Sequence, residues 1–278
     1  MSVNGDTKII AHVGYPTTTF KSSMIYNPWF DAKGIDVAVV PLGVTGEDYP
    51  EVLRPLFRVT NMHGALVTMP NKVTTVRLVD ELTVTAKIAG AANAILKRPD
   101  GSLLGDMFDG EGFVRGVASK GRRIEGARAL VVGSGGVGSA IAASLAAAGV
   151  SALGLFDVAP EASQALADRL ATHYSKLKLA TGSATPEGYD IVVNATPVGM
   201  NPGDPMPIDV EAISPTAFVG EVVMREEYTP LLRAAKAKGC QVQVGTDMLF
   251  EMIPAYIEFF GFGATTPEEL RQYAKLRY

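Results

Sequence analysis

Two titratable side chains and one glycine-rich turn are the parts of this sequence whose residue types and spacing could do chemistry. Lys72 closes the run Val67-Thr68-Met69-Pro70-Asn71-Lys72, which ends a strand-like segment. A lysine held at the C-terminal edge of a strand can face a cleft, although a solvated surface lysine fits the same position. Asp109, in GDMFDGEGF, sits where a hairpin pattern hands over to a helical one, a place where Asp also serves as a helix N-cap. Gly133-Ser134-Gly135-Gly136-Val137-Gly138 fits GxGxxG, follows an apolar strand and opens a helix, which is the context this motif needs. Glycine at the tight turn reaches conformations that other residues avoid. Gly135 leaves bare backbone against which a pyrophosphate can lie, and Gly138 lets helix and strand pack closely. Free N–H groups at the helix start then hold the anion.

Such a turn needs a parallel sheet around it, and the second half of the chain has the pattern for one. ARALVVGSG is followed by a helix from Gly136 to Ala148, SALGLFD, a helix from Pro160 to His173, and YDIVVNATP; PTAFVGEVVM, the helical YTPLLRAAKAKG and CQVQVG extend the series to Gly245. Short connections in this order imply parallel strands joined by right-handed crossovers. The expected unit is a Rossmann dinucleotide-binding domain, and the expected class is a nicotinamide-dependent oxidoreductase. Asp157 ends the second strand, where a carboxylate can accept hydrogen bonds from the adenosine ribose. The following Val158-Ala159-Pro160 adds no cation to meet a phosphate there, so NAD is expected in preference to NADP. A capping role for Asp157 on the helix at Pro160 fits locally as well.

The first half reads IIAHVG, a polar stretch through Asn27, a strand from Asp36 (DVAVVPLGV), a helical EVLRPLFRV and a strand GALVTMP. That alternation predicts a layered α/β domain. Asn93 to Leu104 reads as a hairpin around Pro99-Asp100-Gly101. A helical pattern between Gly110 and Gly121 leads into KGRRIEG, in or before which the domain boundary falls. Two late helices follow, Asp247 to Phe260 and Pro267 to Leu276.

Composition narrows the function classes. At 278 residues and 47% hydrophobic, the chain can fill two cores without disulfides or metals. Its 25 basic and 29 acidic residues leave a net charge of −4 with no long block of one sign, which argues against nucleic-acid or membrane partners. Cys240 is the single cysteine, excluding an intrachain disulfide and a cysteine-rich zinc site and fitting a reducing, cytoplasmic compartment. The N-terminus has no signal-peptide pattern, and no apolar stretch reaches the length of a membrane span. His12, His63 and His173 lie far apart without ligand-like spacing, so they read as structural or surface residues and no metal is expected.

Taken in order, these pieces resemble the shikimate dehydrogenase family over nearly the whole chain. The matching runs are Gly14-Tyr15-Pro16 with Ser22 and Asn27, the VTxPxK run ending in Lys72, GAxN at Gly90 to Asn93, and Asp109-Gly110. The second half adds the glycine turn, Asn194-Ala195-Thr196-Pro197-Val198-Gly199-Met200, Thr229-Pro230-Leu231-Leu232 and Met248-Leu249. The resemblance implies reversible hydride transfer between a nicotinamide and the C3 carbon of a shikimate-like ring acid, with Lys72 and Asp109 as acid–base dyad. Oxidation needs the hydroxyl proton removed and reduction needs it returned, which a titratable pair beside that oxygen can do. It also implies that Ser22, Thr68 and Asn93 bind substrate, and that Thr196, Pro197 and Met200 lie along the nicotinamide. The expected fold class is α/β: a Rossmann domain over 113–246 and an α/β substrate domain with a mixed sheet over 1–112. Residues 247–278 would pack back on the substrate domain, with the active site in the interdomain cleft.

The sequence also departs from the family. The SxS pair of the substrate pocket reads Phe20-Lys21-Ser22, the Asn-Thr before the aspartate reads Met107-Phe108, and Ala94 follows the pocket asparagine. Met224 and Met252 stand where a tyrosine and a glutamine are usual, and Asp157-Val158-Ala159 replaces Asn-Arg-Thr. Each pocket change removes a polar group, and an unpaired buried polar group costs about 1–3 kcal/mol. These changes predict a substrate that is less hydroxylated or carries an apolar substituent. Alternatives are a catabolic quinate dehydrogenase-type enzyme, a non-catalytic Rossmann binding protein, and a methyltransferase, against which the NATP run stands. The expected partners are a small-molecule substrate and the dinucleotide, in a monomer or homodimer.

Overall fold

The computed structural model describes residues 3–275, which divide into two units. The first comprises the residues up to Phe108 together with those from Ile253 onward; the second is Asp109–Met252. The sequence reading placed the breaks after residues 112 and 246, so Asp109 and the first turns of the late helix fall on the other side of them.

In the first unit the elements are β1 (Lys8–Gly14), α1 (Ser23–Lys33), β2 (Val37–Gly43), α2 (Tyr49–Leu56), β3 (Met62–Val67), α3 (Lys72–Thr75), β4 (Glu81–Leu82), α4 (Val84–Ala89), β5 (Ala94–Lys97) and β6 (Leu103–Asp106). The strands form one sheet in the order β2-β1-β3-β5-β6-β4. The β1, β2 and β3 strands run parallel, while β5 pairs antiparallel with both β3 and β6. The hairpin turns at Gly101, whose φ of 85° is the left-handed region that glycine adopts without strain. One face of the sheet buries Ala11, Val13, Ala65 and Val67 against Tyr49 and Leu53 of α2. The polar-looking stretch after Gly14 holds α1, which buries Ile25, Tyr26, Trp29 and Phe30 on one side. Those four positions repeat at the helical period, and a proline inside the run, Pro28, obscures the pattern in the sequence.

The second unit contains α5 (Asp109–Ser119), β7 (Arg128–Val132), α6 (Gly136–Ala147), β8 (Ala152–Phe156), α7 (Pro160–His173), β9 (Lys178–Thr181), β10 (Ile191–Asn194), β11 (Phe218–Glu221), α8 (Pro230–Ala237), β12 (Gln241–Gln243) and the start of α9 (Gly245–Phe259). Its sheet order is β12-β11-β10-β7-β8-β9, with every pairing parallel. Numbered within the unit this is 3-2-1-4-5-6 read from β9, the doubly wound order whose direction reverses between β7 and β10. Strand β9 was not apparent in the sequence. It is an edge strand with three of its four residues exposed, so no apolar run marks it.

The last helix, α10 (Pro267–Tyr273), is capped by Thr266, whose side chain accepts the Glu269 N–H. Glu269 also meets Lys33, Trp29 Nε1 and Thr265, tying α10 to α1. Leu276, the expected end of this helix, lies outside the described residues. No helix among the described residues is long and apolar enough to cross a membrane.

Candidate functional site

The C-terminal ends of β1 and β3 are stitched together by main-chain bonds that fix the substrate-side candidates. Thr68 N donates to Val13 O at 2.9 Å and Tyr15 N to Met69 O at 3.1 Å; Val67 N donates to Asn93 O at 2.8 Å, and Ala92 N to Lys72 O at 2.9 Å. These bonds bring Thr68, Lys72 and Asn93 into one region. Gly14 lets the strand ends close: a Cβ there would lie 2.4 Å from Thr68 Cγ2 and 3.1 Å from Phe20 Cζ. Lys72 itself is half-buried at the first position of α3. The preceding Asn71 is fully buried and donates from Nδ2 to Val44 O at 3.1 Å. Behind it, Thr75 Oγ1 bonds Asn71 O and Tyr49 Oη, so the short helix that presents Lys72 is pinned from the core side.

Ser22, at the N-terminal end of α1, is hydrogen-bonded through Oγ to His12 Nδ1. The His12 ring stacks on Phe20 at 4.0 Å between centroids, nearly parallel at 22°. Burial, reinforced by the positive charge of Lys72, lowers the His12 pKa to about 4. His12 was read from the sequence as structural, yet it lies among the substrate-side candidates. The available signal was a polar ring inside the apolar run IIAHVG, at the C-terminal end of a parallel strand where ligands bind. Asn93 Oδ1 accepts the Phe108 N–H at 2.9 Å. The Phe108 ring packs against Tyr256 and Phe259, so this departure from the family serves the aromatic core.

In the second unit, Asp109 is the first residue of α5 and only 3% exposed. The adjoining Gly110 permits α5 to touch α6, since a Cβ there would sit 2.0 Å from Ala140 O. Met252 lies against Gly112, 2.6 Å from where a Cβ would be, and Met224 is half exposed.

The glycine turn joins β7 to α6 at the reversal of the sheet order. Gly133 has φ 105°, and a Cβ on it would meet Ala195 O at 2.8 Å; one on Gly138 would meet Gly133 O at 1.9 Å. By contrast, nothing lies within 4 Å of a Cβ on Gly135, which leaves open backbone for a dinucleotide phosphate. Ser139 N makes a helical bond to Gly135 O at 2.8 Å, so the amides of Gly136, Val137 and Gly138 precede the helical ladder and can receive an anion. Ser134 Oγ is buried without a partner, an orphan hydroxyl in the same turn. These features fit a bound dinucleotide.

Across the reversal, Asn194 at the end of β10 organises the next loop. Its Oδ1 accepts Thr196 N at 3.1 Å and Thr196 Oγ1 at 2.7 Å, and its Nδ2 donates to Val198 O at 3.1 Å. Pro197 and Met200 are exposed on this loop. Beneath it Glu221 is buried at 1% exposure with Oε1 unpartnered, and its Oε2 accepts from Asn194 Nδ2 at 3.5 Å. Burial holds the Glu221 carboxyl above the ordinary carboxylate range, with hydrogen bonds from Thr229 and Asn194 acting the other way.

Comparison with known proteins identifies the family and the fold. Residues 13–95 match the shikimate dehydrogenase substrate binding domain. The shikimate dehydrogenase (NADP(+)) of Rubrobacter xylanophilus is 36% identical over 251 residues, covering 89% of this chain and 88% of its own. That of Rhodospirillum rubrum is 33% identical, covering 97% of each. Among solved structures, the shikimate 5-dehydrogenase of Listeria monocytogenes, in complex with shikimate and NAD, superposes with a TM-score of 0.89 over 98% of both chains at 24% identity. At that identity the likeness speaks to the fold alone.

The expected preference for NAD is corrected by these relatives, which are named as NADP(+) enzymes. Asp157 also has main-chain partners. Its Oδ2 accepts Ser134 N at 2.7 Å and its Oδ1 accepts Ala159 N at 3.0 Å. The carboxylate is an anchor between the glycine turn and the residues that follow β8.

Proposed function

The chain belongs to the shikimate dehydrogenase family and is an NAD(P)-dependent oxidoreductase acting on CH–OH donors, and from that premise we propose the reaction, the cofactor and the residues that carry it. The reaction is reversible oxidation of the C3 hydroxyl of shikimate, or of a related and less polar ring acid, with NADP(H) as the partner in a cytoplasmic enzyme. When bound, the nicotinamide accepts or returns the hydride. Lys72 and Asp109 form the acid–base pair that takes the proton from the reacting oxygen in oxidation and returns it in reduction. Ser22, Thr68 and Asn93 hold the ring, while Phe20, Met224 and Met252 line it with apolar surface.

The glycine turn positions the dinucleotide through the amides at the start of α6. Thr196, Pro197 and Met200 flank the nicotinamide end, on a loop whose shape Asn194 sets. The observation that carries the reading is the bonding of the strand ends: Lys72 O accepts from Ala92 N and Asn93 O from Val67 N, which holds the main chain at Lys72 and Asn93 on one frame. Such a frame is what a positioned proton carrier requires.

The test is initial-rate measurement of nicotinamide reduction with shikimate and quinate, each offered with NADP+ and NAD+. Saturable shikimate oxidation with NADP+ preferred supports the reading. Preference for quinate with NAD+ moves the assignment to the catabolic type, and cofactor binding without turnover of any ring alcohol refutes it.

A further inference from the structure

Helix α3 is a single turn, Lys72–Thr75, and a lone turn does not hold its own shape. The main-chain bonds that follow it are long, Val76 N to Val73 O at 3.4 Å and Arg77 N to Thr74 O at 3.3 Å. The two peptides that meet at Lys72 Cα are nevertheless both held. The one leaving Lys72 is fixed at its carbonyl, which accepts from Ala92 N at 2.9 Å. The one entering it is fixed at Asn71 O, which accepts from Thr75 N at 3.0 Å and from Thr75 Oγ1 at 2.9 Å. Each peptide is planar, so two fixed planes determine the direction in which the Lys72 side chain leaves the backbone.

The proton count along these bonds has one solution. Asn71 O is a carbonyl and only accepts, so the single hydrogen of the Thr75 hydroxyl is spent there. Tyr49 Oη lies 2.8 Å from Thr75 Oγ1 and therefore donates to it. Burial pushes the Tyr49 hydroxyl well above its ordinary range, which keeps that proton in place at working pH. Tyr49, Thr75 and Asn71 are all fully buried, where a hydroxyl deprived of its partner is costly. The pair ties the first residue of α2 to the peptide in front of Lys72. Asn71 Nδ2 adds a second tie, to Val44 O at 3.1 Å.

We propose that the Tyr49–Thr75 hydroxyl pair is a positioning element for the reaction: through Asn71 O it sets the direction of Lys72, and with it the distance over which the proton is carried. This deepens the proposed function and rests on it for the statement that Lys72 is an acid–base group. Both hydroxyls act through the backbone and take no part in the proton transfer. A threonine bonded to the carbonyl four residues back is common in helices. Here that carbonyl belongs to the peptide of the proton carrier, and a second buried hydroxyl holds the threonine in the rotamer that reaches it.

The experiment compares wild type with Thr75→Val, Thr75→Ser, Tyr49→Phe and Lys72→Ala. Three quantities are read: kcat for shikimate oxidation at saturating shikimate and NADP+, the NADP+ dissociation constant by titration, and Tm by thermal unfolding, with rates taken well below each Tm. Thr75→Val keeps the shape and removes the hydroxyl; it is expected to lower kcat by about 10-fold with the NADP+ dissociation constant unchanged. Thr75→Ser restores the hydroxyl and is expected to recover kcat to within about 3-fold of wild type. Tyr49→Phe leaves Thr75 its bond to Asn71 but frees its rotamer, and is expected to lower kcat by about 3-fold. A purely structural pair would change Tm and leave the kcat of folded enzyme alone. Wild-type kcat in folded Thr75→Val, or a Thr75→Ser as slow as Thr75→Val, overturns the proposal. If Thr75→Val does not fold, Tyr49→Phe decides, and wild-type kcat there overturns it equally. When Lys72→Ala is slowed by about 100-fold in the same series, such a failure leaves the acid–base reading standing; wild-type kcat in Lys72→Ala overturns both.

Discussion

Two alanine substitutions in one turn separate the packing role of the glycines from their ligand role. In Gly138→Ala the new Cβ would sit 1.9 Å from Gly133 O, a backbone atom that cannot swing aside. Ordinary contact begins at 3.4 Å, so α6 must move away from the end of β7. Overpacking of this kind costs about 1–3 kcal/mol or more, which lowers Tm by about 5 °C in a chain of this size. The same shift moves the amides of Gly136 and Val137 from the phosphate position and weakens NADPH binding by about 10-fold or more. Gly135→Ala differs: nothing lies within 4 Å of its Cβ, and its φ of −70° suits alanine. Its Tm stays near that of wild type, while the methyl occupies the space through which the phosphate approaches, again weakening binding by about 10-fold. Thermal unfolding and fluorescence titration with NADPH read the two quantities. The reasoning is refuted if Gly138→Ala is as stable as wild type, or if Gly135→Ala binds NADPH unchanged.

Lys72→Ala and Asp109→Asn should each lose about 100-fold or more in kcat while leaving the NADPH dissociation constant unchanged, as measured by steady-state rates beside a binding titration. Glu221 has a raised pKa in the folded state, so the stability linked to it is full below the ordinary carboxylate pKa and is lost as pH rises through the raised value. Glu221→Gln should abolish that decline, and a chemical denaturation series across pH compares the two slopes. His12 has the opposite sign: its pKa falls from 6.5 to about 4 on folding, worth about 3 kcal/mol, so stability is lost as the pH drops between those values. His12→Phe should flatten that acid limb, and an unchanged limb contradicts the burial assigned to the ring.

The second unit was legible because its sequence repeats one rule. Apolar strands alternate with helices, and a glycine turn sits where a dinucleotide needs it, so β7, α6, β8 and α7 are found with nearly their observed ends. Elements whose pattern is local and weak were missed: β9 is exposed at an edge, and α1 follows polar residues and contains Pro28. Side-chain roles were harder to read because they depend on neighbours distant in sequence. Asp157 was read as a ribose partner, and its two main-chain donors, one of them Ser134 N from the glycine turn, could not be seen in the sequence. Phe108 looked like a lost pocket contact but belongs to an aromatic core with Tyr256 and Phe259. His12 looked inert because its partners, Phe20 and Ser22, are brought to it by the turn into α1.

The central claim is hydride transfer from a ring carbon. Its most direct test is to incubate the enzyme and NADP+ with shikimate carrying deuterium on the carbinol carbon at C3, then examine the reduced cofactor by mass spectrometry. The account predicts one deuterium on the nicotinamide ring, with the rate of transfer falling about 100-fold or more in Lys72→Ala. Reduced cofactor without label, or labelled shikimate left intact by an enzyme that binds NADPH normally, would contradict it.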